Sequence, residues 1–249
     1  MELEVTEEPA TIIRKPGKLT NIIEEPYDTD LHFPDRAFLS FGATSWNLLF
    51  GRETVSWGNG RTGNLLISDD VDYHDGLSLR AFFRGFTFAS SYISLEAWRT
   101  AEEEAWDPAD QAPYKAFFGH RYELRFFDMV QLALAESVMY GKRYPDLAHL
   151  NPMMVFHNWF IFRFANSMLT AELDITPIEG LNLYGQFILY QYQSAVEIAT
   201  WEGADAQPNA YGFLVGAETV HAVGSGYLAG LGEWVRTNPW LYTVRYANP

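Results

Sequence analysis

The residues best equipped for chemistry in this chain are carboxylates, and two pairings stand out: Glu123 with Glu136, and Glu172 with Asp174. A protonated and an ionised carboxyl group facing each other across a sugar make a general acid–base pair, provided the fold holds them about 5 to 9 Å apart. Arg80, Arg121 and Arg125 offer the competing outcome, in which the same carboxylates are taken up by structural ion pairs. Other chemistries have less to work with. His32, His74, His120, His149, His157 and His221 show no HxH or HExxH spacing, so no metal site is expected. There is no GxSxG elbow, and Gly224-Ser225-Gly226 reads as a turn rather than a nucleophile. The absence of cysteine excludes disulfides, Cys-ligated zinc, iron–sulfur clusters and thiol nucleophiles together.

Gly58-Asn59-Gly60-Arg61-Thr62-Gly63 has the literal form GxGxxG. Dinucleotide binding needs a helix N-terminus behind those glycines to hold a pyrophosphate. Leu65-Leu66-Ile67-Ser68-Asp69-Asp70-Val71-Asp72 follows instead, short and ending in acids that repel phosphate. The motif reads as a tight turn, and no cofactor is expected. Sugar binding has candidates of another kind, because aromatic rings stack on pyranoses while polar neighbours take the hydroxyls. Trp57, Trp98, Trp106, Trp201 and Tyr211 lie beside loops and could serve that role, although most of them better suit aromatic residues at a membrane interface.

The elements that would position these residues are strands. Residues 1–36 form an acidic, proline-punctuated N-terminal segment (Glu7-Glu8-Pro9, Glu24-Glu25-Pro26) with a short helical turn expected near Thr20 to Glu25. From residue 37 to 249 the chain reads as one β domain of about ten strands. In Phe118 to Phe126, Arg121, Glu123 and Arg125 fall on one face, and His120, Tyr122, Leu124 and Phe126 on the other. Leu77–Arg84, Ala89–Ala97, Met168–Thr176 and Leu181–Tyr190 alternate in the same way. Hairpin signals occur at Gly85-Phe86 and at Asn238-Pro239, the latter placing Trp240–Tyr246 as a partner strand. Thr100–Lys115 and Lys142–Ala165 read as excursions from the sheet. Asn151-Pro152 gives the second of these a helix start and makes it a plug for a barrel mouth.

Composition narrows the class further. A net charge of −15 and a pI near 4.7 argue against nucleic-acid binding. An aromatic content of 16% beside strands with charged faces suits an antiparallel transmembrane β-barrel with a polar lumen and a lipid-facing exterior. No window is apolar enough for a membrane helix, since Met153–Phe164 is interrupted by His157, Asn158 and Arg163. The acidic start, Met1-Glu2-Leu3-Glu4, is no secretory signal. It leaves open a cytosolic protein or a chain that begins after a leader.

The stretch Phe50–Asp69, with Gly51-Arg52 and Trp57-Gly58-Asn59-Gly60-Arg61-Thr62-Gly63-Asn64-Leu65-Leu66-Ile67-Ser68, resembles the "GR…WGxGxxGxLxLS" segment of the capsule-assembly Wzi family. Three further blocks are similar in the same order: Gly119–Arg125; Ala135–Gly141 followed by Leu150-Asn151-Pro152; and Asn166-Ser167-Met168 through Leu183-Tyr184-Gly185-Gln186. The resemblance implies a bacterial outer-membrane β-barrel, non-catalytic, that acts as a surface lectin and anchors capsular polysaccharide, with outer-membrane lipid as its other partner. Family barrels have more strands, so the chain is expected to be a piece of a longer member, incomplete at its C-terminus. In such a barrel, Arg52, Glu53, Arg61, His120, Arg121, Glu123, Arg125 and Glu136 would form a charge-paired lumen network. Two competing functions stay open: an outer-membrane diffusion channel, and a soluble β-rich carbohydrate-active enzyme using paired carboxylates.

Overall fold

The computed structural model describes residues 36–68, 71, 73–95, 115–141, 151, 165–192 and 209–242. They form one antiparallel sheet of ten strands: β1 Ala37–Ala43, β2 Trp46–Glu53, β3 His74–Phe83, β4 Phe86–Leu95, β5 Lys115–Phe126, β6 Val130–Gly141, β7 Ala165–Ile178, β8 Leu181–Gln191, β9 Ala210–Val223 and β10 Gly226–Thr237. Each strand pairs with its sequence neighbours, so the sheet is an up-and-down meander with β1 and β10 at its edges. There is no helix among the described residues. The excursions expected at 100–115 and 142–165 fall almost wholly outside the described residues, although Lys115 and Ala165 already open β5 and β7. The helical turn expected near residues 20–25 also lies outside them.

Register turns the alternation of each strand into two faces that run across the whole sheet. One row, Trp46–Ala81–Phe88–Tyr122–Leu134–Ala171–Phe187–Phe213, crosses eight strands without a charge. Much of this face is bare: Leu39, Phe50, Leu134, Val215 and Trp234 all keep half or more of their surface exposed. The opposite face carries the row Asn47–Arg80–Ala89–Arg121–Ala135–Thr170–Ile188–Gly212. Residues 54–68 fold back across this second face as a strap, and the core lies beneath it.

The strap has two footings. Trp57, with Val55 and Ile67, packs against Ala89, Ile93, Phe117 and Ala135. Leu65 packs against Met168, Tyr184, Ile188, Leu214 and Leu241. Leu66 and Met139 touch both clusters and join them. Glycine makes the first footing feasible, because a Cβ on Gly119 would lie 2.7 Å from the Trp57 ring. The second footing overturns one expectation. Residues 239–242 are a turn, not the start of a strand paired to β10. Leu241 is buried against Leu65, and the Tyr242 hydroxyl donates to the Leu65 carbonyl at 2.6 Å, so the chain bends over the covered face instead of extending the sheet.

Candidate binding face

The strap closes on itself before it meets the sheet. Trp57 N–H donates to the Ile67 carbonyl at 3.1 Å, and Asn64 links the two limbs through Ser56 Oγ and the Gly60 N–H. Gly58 adopts φ 149°, and a Cβ there would overlap the Asn64 side chain at 1.9 Å. The glycines of the GxGxxG form therefore serve the turn itself. The loop's amides are already occupied by an anion of this chain. The Glu233 carboxylate accepts from Arg61 N–H at 2.6 Å, from Thr62 N–H at 3.0 Å, from the Thr62 hydroxyl, and from the Tyr184 hydroxyl at 2.7 Å. Arg61 itself forks onto Glu218 at 3.0 and 2.7 Å, and this carboxylate raises the guanidinium above its usual pKa range. Gln186 completes the attachment, accepting from Leu65 N–H at 2.9 Å and donating to Asn64 at 2.6 Å.

Beside the strap, Arg121 is the centre of a buried ion cluster. Its guanidinium bonds Glu123 on the same strand and takes both oxygens of Glu172 on β7, one of them at 2.8 Å. Strand β6 lies between Arg121 and Glu172. It contributes only Ala133 and Ala135 to this face there, and both are buried under the bridge. Two small side chains let a long arginine reach across a neighbouring strand, a span of about 10 Å at ordinary strand spacing.

The eight residues expected to share one charge network divide between places. Arg61, Arg121 and Glu123 belong to the covered face, with Arg125 exposed at the far end of the same strand. Glu53 also faces that way and pairs with Arg36 at 3.0 Å. His120 and Glu136 lie opposite each other in register on the other face of the sheet, where His120 is buried and its ring meets Phe118 edge-on at 4.8 Å. Arg52 sits at the end of that side, forked onto Asp75 and stacked over Tyr73. The correction follows from period two: His120 and Arg121 are adjacent, so one sheet face cannot hold both. Glu123 and Glu136 are on opposite faces for the same reason, and Glu172, on the same face as Asp174, is bound by Arg121.

The proposed sugar contacts also separate. Trp57 is 3% exposed, edge-on to Phe117, which makes it a packing residue. Tyr211 is on the bare side against Phe187. Trp98, Trp106 and Trp201 lie outside the described residues. Glu218, Glu233, Gln186 and Tyr184 are the residues that sequence reasoning did not assign, and Glu172 was read only as a partner of Asp174. Alternation put Glu172 on a polar face, but nothing local named its partner on β5.

No family model, curated protein or solved structure matches this chain. Among the described residues no group of three or more His, Asp or Glu side chains is placed to hold a metal ion.

Proposed function

We propose that this chain forms the wall of a bacterial outer-membrane β-barrel that binds or anchors surface polysaccharide and catalyses no reaction on it. The observation that carries this reading is the contrast between the faces of one sheet. One leaves rows of aromatic and aliphatic side chains bare, while the other is polar, charge-paired and covered by the strap. Soluble monomers seldom expose an apolar patch beyond a few hundred Å². Strands in a bilayer need an apolar exterior with polar groups turned inward. An unpaired strand edge is not tolerated in lipid, so this reading requires β1 and β10 to be paired in the membrane. The four blocks similar to the capsule-assembly family support polysaccharide as the ligand. A strap fastened across the inward face weighs against a free diffusion channel.

The test uses the absence of native cysteine. The full-length gene product is expected in the outer-membrane fraction with a heat-dependent gel mobility. Spin labels at Leu134→Cys and Phe187→Cys are expected to be relaxed by oxygen dissolved in lipid, and labels at Ser78→Cys and Asp174→Cys by a water-soluble nickel chelate. A soluble, non-shifting product whose labels all meet the chelate would overturn the barrel.

A further inference from the structure

We propose that the covered face carries a binding site for a carboxylate-bearing pyranose, a hexuronate unit of a polysaccharide, in the cleft beside Trp57. This deepens the polysaccharide reading and rests on it. The cleft has a volume of about 290 Å³. That is at the small end of ligand pockets, roughly 300–1,000 Å³, and suits one ring rather than several. Its floor is two registered rows across β3, β4 and β5: Arg80–Ala89–Arg121, and Phe82–Thr87–Glu123. Ser56, Trp57 and Gly58 of the strap make its wall. Ala89 is the small residue between two arginines, and the depression lies over it.

Charge decides the class of ligand. Arg121 is already neutralised by Glu172 and Glu123. Arg80, on the other side of Ala89, is exposed and makes no ion pair among the described residues. A planar guanidinium matches a carboxylate through two parallel hydrogen bonds. Phe82, two residues further along the same face, is 43% exposed and offers a ring to the C–H face of a pyranose. The hydroxyl of Thr87, and Glu123 with 29% of its side chain exposed, supply a donor and acceptors for sugar hydroxyls. A simple anion would use Arg80 without Phe82, and a neutral hexose would use Phe82 without Arg80. An acidic sugar uses both.

Saturation-transfer NMR on the full chain folded in detergent, with D-glucuronate as the probe, tests this. D-Glucuronate is expected to bind and D-glucose to bind much more weakly. Arg80→Gln is expected to weaken D-glucuronate binding by about 10- to 100-fold, the loss of a charge-assisted pair. Phe82→Ala is expected to weaken it by about 2- to 10-fold, the loss of a ring contact. Equal binding of glucose, binding unchanged by Arg80→Gln, displacement of glucuronate by an equal concentration of acetate, or no binding at all would overturn the site. If these occur in a chain that keeps its heat-dependent mobility, the barrel stands and only the cleft assignment falls. If the chain proves soluble, the barrel reading fails, and the same spectra still decide the cleft.

Discussion

Two ion pairs on the covered face, Arg121–Glu172 and Arg61–Glu218, are made of the same residue types and differ in physical weight. The first is strand to strand, with side chains 7% and 4% exposed. The second is loop to strand, with side chains 40% and 34% exposed. Register and the two alanines of β6 bury the first pair, so each partner exists in the fold only because the other is present. The second pair keeps its water and contributes little. The strap is therefore held down by the burial of Trp57 and Leu65 and by the bonds of Glu233 to backbone amides, more than by the arginine at its tip.

The comparison breaks most visibly at Glu172. Glu172→Ala should lower the unfolding free energy by about 3–5 kcal/mol, because it leaves a buried guanidinium uncompensated. Urea titration of the folded chain measures this. Replacing both partners, Arg121→Met with Glu172→Leu, should cost less than the single change. A loss under about 1 kcal/mol for Glu172→Ala would mean that water reaches the pair and that burial is not what distinguishes it.

Smaller effects sharpen the picture of the strap. Gly119→Ala should cost about 1–3 kcal/mol, the usual range for overpacking, since its methyl meets the Trp57 ring. Most of that penalty should vanish in a Trp57→Ala background, and a double-mutant cycle reads the coupling. Glu233→Ala should cost about 1–2 kcal/mol by leaving the amides of Arg61 and Thr62 to find water. The same variant should speed proteolytic cleavage within residues 58–63, and no change in cleavage would detach Glu233 from the strap. Glu218→Gln should be the mildest, about 0–1 kcal/mol, and its effect should disappear in 1 M salt. A salt-independent loss at Glu218 would erase the contrast with Arg121–Glu172.

Much of the fold was legible in the chain. Leu124 and Phe126 against Arg121, Glu123 and Arg125 specify a two-faced strand without any tertiary information, because successive side chains of an extended backbone point to opposite sides. The strands around Gly85 were readable for the same reason, with turn residues between alternating runs. The end of the sheet was not. Trp240–Tyr242 has the composition of a strand, yet Leu241 finds a better environment beneath Leu65. The site was legible in part: Arg121, Glu123 and Arg61 belong to it, and Trp57 proved to be packing rather than surface. The placement of His120 and Glu136 in the same network conflicted with the alternation of their own strands.

By itself the sequence determined the local periodicity: which stretches are strands, where they turn, and which side chains share a face within each. Those are consequences of backbone geometry and of apolar and polar residues alternating over a few positions. Only the tertiary structure decided what lies across from each side chain. Arg121 reaches Glu172 because β6 places alanines between them, Glu233 holds the strap because β10 reaches the 58–63 turn, and Arg80 faces a cleft because Trp57 stops beside it. These contacts join residues far apart in the chain, and their free energy depends on burial that no single strand creates.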